Sequence, residues 1–398
     1  MSGIYVHIPF CRRKCFYCDF YSVGERSAVW SRFVEAICRE AKHRILSSRI
    51  LDHDSPLTLY IGGGTPSLIP PSEFKRLAAN LLEIIGTPVE FTIEVNPDDV
   101  TPEKVSTWFD SGVNRVSMGV QSFVDSELKA VGRRHTANQA MDAYDLLRTA
   151  FSNISLDLIF GLPGQAMASL DYSLSEIIKL NPDHISVYSL MYEERTALTR
   201  MRDSGQIPET SDIDSEAMFM LVNHRLREKG FDRYEISNYA KPGFQSIHNS
   251  AYWKGFPYVG LGPAAHSYDG LCCRRANVPD IKKYLAFYLD DGYGISGRSD
   301  MKTISLKSEE QVKEEICIIE SLSVCELREE MIMTRLRMAE GLSINEYTQR
   351  FGIDSAGSLL ALADKWISSG HLSLSSDNML SLSEKGIMIS DQIIASLF

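Results

Sequence analysis

EFTIEVNPDDVTPEKVSTWFDSGVNRVSMGVQSF, residues 90–123, reads as one strand, one helix and the start of another strand. EFTIEV is β-branched and aromatic, as strands prefer. Thr101-Pro102 reads as an N-cap followed by a first-turn proline, and Gly112 closes the helix before RVSMG begins. A helix between two strands of one sheet leaves those strands parallel. Outward from this unit the same alternation recurs at IYVHI from Ile4, LTLYI from Leu57, NISLDLIF from Asn153 and HISVYSL from His184. Six such runs predict an α/β fold, an incomplete (β/α)6 barrel over residues 1–210.

In barrels of this kind chemistry gathers at the carboxyl ends of the strands. There the sequence turns polar and glycine-rich: PFCRRKCFYC after the first run, GGGTPS after the second, Glu94 and NPDD at the third, Gln121-Ser122-Phe123 after the fourth and GLPGQ from Gly161 after the fifth. After the sixth come only Met191, Tyr192, Glu193 and Glu194.

The 398 residues carry a net charge of -11, against the excess of Lys and Arg that a nucleic-acid binder needs. No signal-peptide start and no run of about 18 apolar residues is present, so an integral membrane segment is not expected and the chain reads as cytoplasmic. Residues 211–307 are less regular and read as an extension of the barrel, with a helix over 212–229, a short strand near Tyr234 and a Gly- and aromatic-rich stretch over 241–268. Residues 308–398 read as a smaller, mostly helical domain. Its helix over 355–369, followed by HLSLS and MLSLS, suggests a winged helix, but residues 341–398 hold three Lys or Arg against six Asp or Glu, which argues against a DNA-reading wing.

Three of the eight cysteines fall within eight positions. Cys11, Cys15 and Cys18 form C-x3-C-x2-C directly after a strand, and thiolates on one loop can fold around a 4Fe-4S cluster. Three ligands leave one iron open to chelate the amino and carboxylate groups of S-adenosylmethionine. Zinc is the alternative, but structural zinc prefers four protein ligands and no second cysteine pair is present. Cys38, Cys272, Cys273, Cys317 and Cys325 lack useful spacing and read as structural. Gly62, Gly63 and Gly64 would let backbone approach a bound methionine moiety closely. Glu94 and Asp157 are acidic residues at the expected mouth, suited to ribose hydroxyls or an ammonium.

Taken together, YVHIPFCRRKCFYCDF, GGGTPS, GVQSF and DLIFGLPGQ resemble the radical-SAM family that contains the oxygen-independent coproporphyrinogen III oxidases and related heme chaperones. The resemblance covers about the first 270 residues. It implies cofactor contacts from Tyr5, Tyr17, Gly63, Gly64, Thr65, Glu94, Gln121, Arg133 and Asp157. A second S-adenosylmethionine, known in some family members, would fall on Gly64, Thr65, Gln121, Arg133, Asp157 and Met191; charge alone does not choose between Arg133 and Arg134.

Two features separate the relatives. The oxidases carry another cysteine two residues beyond the third, where this chain has Phe20. The segment His248-Asn249-Ser250-Ala251-Tyr252-Trp253 resembles the HNxxYW heme-binding motif of the chaperones, with His248 as an axial ligand and Asn249, Tyr252 and Trp253 beside the porphyrin. The resemblance thus implies three cofactors, a 4Fe-4S cluster, S-adenosylmethionine and heme, and a heme-accepting protein as partner, with respiratory enzymes as the implied acceptors. Its alternative is a coproporphyrinogen III oxidase, which removes carboxyl groups from propionate side chains.

Overall fold

The strands of the amino-terminal half alternate over most of their length, apolar residues on one face and polar ones on the other. Ile4, Val6 and Ile8, then Leu59 and Ile61, Phe91 and Ile93, Val116 and Met118, Leu156 and Leu158, and Ile185 and Val187 are all buried in one hydrophobic cluster with the helices. The residues between them are polar: Tyr5, Thr58, Tyr60, Glu90, Thr92, Glu94, Arg115, Ser117, Ser155, Asp157, His184 and Ser186. A period of two with apolar residues on one face puts that face against helices and turns the polar face inward. Each aliphatic side chain so buried contributes about 1.5–3 kcal/mol.

The computed structural model describes residues 1–25, 27–47, 55–289 and 316–398. Six parallel strands appear where the periodicity predicts them: β1 (Ser2–Ile8), β2 (Leu57–Gly63), β3 (Glu90–Val95), β4 (Arg115–Gln121), β5 (Ile154–Phe160) and β6 (His184–Ser189). Thr101 caps the helix Pro102–Asp110 as expected, its hydroxyl accepting from the Lys104 amide. The sheet continues at both edges, through β7 (Asp232–Arg233) and β8 (Asn238–Ala240) beside β6, and through β9 (Tyr258–Leu261), β10 (His266–Tyr268), β11 (Cys273–Asn277) and β12 (Cys317–Ser321) beyond β1. The full order is β12-β11-β10-β9-β1-β2-β3-β4-β5-β6-β8-β7.

Here the structure adds to the sequence reading. β9 is a seventh parallel strand, pairing with β1 from Gly3↔Tyr258 to Val6↔Leu261. β12 belongs to the large sheet although it lies past residue 308, in the region read as mainly helical. The expected boundary between 307 and 308 itself lies outside the described residues.

The carboxyl-terminal unit has its own core, including Met331, Leu336, Leu342, Tyr347, Leu359, Leu372, Leu380 and Ile393. HLSLS and MLSLS supply Leu372–Leu374 and Met379–Leu382, an antiparallel pair completed by Leu342–Ser343. With the helices Ile344–Phe351 and Ile353–Ser368 this is the winged-helix-like arrangement. The unit touches both edges of the partial barrel: Glu235, between β7 and β8, bridges to Met338, while Arg274 of β11 pairs with Glu330. It thereby spans the open side of the barrel. Among the described residues no helix is long and apolar enough to cross a membrane.

Candidate cofactor site

The loop after β1 carries Cys11, Cys15 and Cys18, all partly exposed and free of disulfides. Thr65 donates its hydroxyl toward Cys11 Sγ at 3.5 Å, and Arg133 donates Nη1 toward Cys15 Sγ at 3.6 Å. Burial pushes the Cys11 thiol up and the Cys18 thiol up to about 11, so binding a cationic cluster would release protons here. Among the described residues no three His, Cys, Asp or Glu converge on a point fit for a single metal ion. Three thiolates on one loop would be the cysteine ligands of a 4Fe-4S cluster.

GGGTPS serves this loop. A Cβ on Gly64 would lie 2.9 Å from Ile8 O and 3.0 Å from Cys11 Sγ, so only a glycine lets β2 pass so close to the cysteine loop. Gly63 has φ +111, and its amide donates to Glu94 Oε2 at 3.0 Å while the Gly64 amide donates to Ile8 O at 2.7 Å. Both amides are therefore committed within the protein. Glu94 also accepts from the Tyr60 hydroxyl at 2.8 Å, and burial raises its carboxyl to about 7.

The two neighbouring arginines have different roles. Arg133 is drawn inward, donating to Asn96 Oδ1 at 2.9 Å and to Gly119 O besides Cys15; Arg134 pairs with Asp98. Gln121 sits at φ 71 beside a bulge between β4 and β5, in the left-handed region that a side chain occupies only under strain. Asp157 accepts from Ser117 at 3.2 Å and from Ser155 at 3.3 Å, and burial raises its pKa. Tyr17 packs against Val131, Ile159 and Leu162, its hydroxyl pushed up by burial. Thr65 and Arg133 face a small cavity beside Cys15. Tyr5, Glu94 and Met191 face a larger one of about 1020 Å³.

His248, Asn249, Tyr252 and Trp253 also line the larger cavity, but from the opposite end of the barrel. The helix Ile247–Trp253 lies against residues at the starts of strands. Glu90, first in β3, accepts from the Ile247 amide at 2.8 Å, the His248 amide at 2.9 Å and the Ser246 hydroxyl at 3.3 Å. Thr58, second in β2, meets His248 Nδ1 at 2.7 Å. The cysteine loop follows the carboxyl end of β1, so the HNxxYW helix and the cysteine loop lie at opposite ends of the barrel.

Tyr60, which the sequence reading passed over, joins them. Its ring stacks on His248 at 5.0 Å between centroids, and its hydroxyl holds Glu94. A second buried chain runs from Asp157 through Ser155, His184 (2.8 Å), Tyr234 (2.8 Å) and the Ser246 amide (3.2 Å) to Glu90. The signal for both was the polar alternate positions of β2, β5 and β6.

His248 itself is 3% exposed. Burial, helped by the charge of Arg115, lowers its pKa to about 3, so the ring is neutral at physiological pH. Thr58 occupies Nδ1, while Nε2 is buried without a hydrogen-bond partner. A neutral imidazole with one nitrogen held and the other unused is the form that ligates a metal.

Residues 5–177 match the Radical SAM superfamily, and residues 322–389 match the HemN C-terminal domain. Together with the relatives that follow, these matches show that the chain belongs to the radical-SAM superfamily, in the family that contains the heme chaperones named HemW. It is 30% identical to "Heme chaperone HemW" of Bacillus subtilis over 400 residues, covering 100% of this chain and 99% of the relative. It is 32% identical to "Heme chaperone HemW" of Lactococcus lactis, over 88% of this chain and 85% of the relative. Among solved structures, coproporphyrinogen III oxidase (HemN) from Escherichia coli superposes with a TM-score of 0.79 at 20% identity, over 100% of this chain and 89% of that one. That likeness shows the shared fold.

Proposed function

We propose that this chain is a cytoplasmic heme carrier, binding heme through His248 and passing it to an acceptor protein. The observation that carries the reading is His248: a neutral imidazole fixed at Nδ1 by Thr58, with Nε2 buried and unpartnered, on the wall of a cavity of about 1020 Å³. Such a volume lies at the upper end of cofactor pockets. The names of the relatives support the same reading.

Cys11, Cys15 and Cys18 would hold the 4Fe-4S cluster, with Thr65 and Arg133 donating to its sulfur ligands. S-adenosylmethionine would lie among Tyr5, Tyr17, Gly63, Gly64, Thr65, Glu94, Gln121, Arg133 and Asp157, with Met191 beside a second copy. Once reduced by an external donor, such a cluster would supply the electron that breaks a carbon–sulfur bond of S-adenosylmethionine. The chain's own part is to hold Glu94, raised to about 7 by burial, beside Asp157, which burial also raises, and to keep the imidazole of His248 neutral.

Carrying heme needs no net chemistry, and Phe20 stands where the oxidases have a further cysteine. The anaerobically reconstituted protein, given S-adenosylmethionine and a reductant, should bind heme, release it with its porphyrin unaltered to an apo-acceptor and leave coproporphyrinogen III intact. Conversion of coproporphyrinogen III at the rate of an oxidase run in parallel would overturn the reading.

A further inference from the structure

Cationic side chains gather on one side of the large cavity, beside the HNxxYW helix. Arg274 comes from β11, and Arg335 and Arg337 from the end of the helix Val324–Leu336 and the residue after it. Arg335 is 14% exposed in its side chain and donates Nη2 to the carbonyl of Lys254, the residue after Trp253, at 3.1 Å. From His248 an aromatic wall leads to Arg274. Tyr252 lies 5.3 Å from His248, Tyr258 lies 4.1 Å from Tyr252, and the charge of Arg274 acts on the Tyr258 hydroxyl.

Each guanidinium spends its Nη2 on one carboxylate of the carboxyl-terminal unit: Arg274 on Glu330, Arg335 on Glu346 and Arg337 on Asp391. The Nε atoms of Arg274 and Arg337 are buried without an acceptor. Glu346 is largely exposed and stands outside the cavity lining, so the acid that balances Arg335 lies toward solvent, while Asp391, also exposed, borders the cavity mouth beside Arg337. Two other acids on the cavity, Glu94 and Glu235, are each raised to about 7 by burial, which lessens the anionic character of the interior.

We infer that Arg335, with Arg274 and Arg337, forms a carboxylate-binding subsite that recognises the propionates of a tetrapyrrole whose iron meets His248. This deepens the heme-carrier reading and rests on it for the identity of the ring. The carboxyl-terminal unit then contributes directly to the site: its Arg335 and Arg337, with Arg274 of the large sheet, select ligands by their peripheral charge, while the helix Ile247–Trp253 supplies the iron ligand. Guanidinium–carboxylate contacts are short, charge-assisted and geometrically selective.

Three probes separate the parts on the full-length protein: hemin, with iron and carboxylates; hemin dimethyl ester, with iron alone; and metal-free protoporphyrin IX, with carboxylates alone. Titrations followed by absorbance and by tryptophan quenching should show the ester binding at least about tenfold more weakly than hemin. Arg335→Gln and Arg274→Gln should erase that preference without changing the Soret band position. His248→Ala should shift the Soret band and keep the preference. Equal affinity of the wild-type protein for hemin and its ester overturns the subsite, and this arm depends on no variant. A Soret band indifferent to His248→Ala, with the carboxylate preference intact, instead refutes His248 as the iron ligand and leaves the subsite standing.

Discussion

At the scale of single residues, what separates His248 from an ordinary core histidine is the inequality of its two nitrogens. Nδ1 has Thr58 and Nε2 has nothing. Removing the Thr58 hydroxyl with the near-isosteric Thr58→Val should leave the fold intact but release the tautomer and ring orientation, weakening hemin binding by about 10-fold or more; an unchanged titration curve would contradict this role. Gly64 is the corresponding residue at the other end. Gly64→Ala drives a Cβ against Ile8 O and Cys11 Sγ, and the carbonyl is backbone that cannot swing away. The variant is expected to lose most of its reconstituted iron and sulfide while still folding. The triple-glycine motif was legible in the sequence, but its packing against the cysteine loop was not, because that contact depends on how β1 and β2 pair. That Arg133 turns toward Cys15 while Arg134 pairs with Asp98 likewise needed the structure, since both carry the same charge.

Among the elements, the short helix Ile247–Trp253 depends on Glu90, which accepts from two amides and a hydroxyl at its start. Glu90 is also the carboxylate whose charge acts most on the fully buried Arg115. Glu90→Gln should therefore destabilise the protein by roughly 3 kcal/mol, by leaving a buried charge uncompensated, and weaken hemin binding at the same time. Denaturant midpoints and hemin titrations check the two effects separately. The HNxxYW segment was visible as a motif, yet its place at the amino ends of the strands was not. That place follows from β9, a four-residue strand flanked by glycine-rich sequence and too short for its periodicity to register, which pairs with β1 and sets the helix before it under Gly3 and Thr58. The six longer strands were legible because each carries several turns of the same alternation.

For the whole molecule, the polar interior makes stability depend on pH through groups that oppose each other. His248 and His135 are lowered to about 3, and His184 well below its usual 6.5, chiefly by burial. A neutral buried histidine contributes stability in full above pH 6.5 and loses it as the pH falls toward 3, because the unfolded chain takes up protons first. Glu94 and Glu235, raised to about 7, act the other way. Their contribution is complete below about pH 4.5 and is lost as the pH rises through 7. With three histidines opposing two glutamates, denaturant midpoints should thus fall gently between about pH 6.5 and 4.5 and steeply below, and Glu94→Gln should gain on the wild type as the pH rises from 5 to 8. A profile flat down to pH 3.5 would contradict the assignment of neutral buried histidines. The fold class was readable from chain-local pattern. The closure of the barrel's open side by the carboxyl-terminal unit was not, because it rests on single contacts such as Glu235 with Met338 and Arg274 with Glu330, which join residues far apart in sequence.

The most direct test of the account is hemin titration of the anaerobically reconstituted protein and of its His248→Ala variant, followed by absorbance with iron and sulfide measured in parallel. The account predicts saturable, stoichiometric hemin binding with a Soret band that is lost or shifted in the variant while cluster content stays the same. Indifference of the wild-type protein to hemin, with the cluster fully assembled, would contradict it.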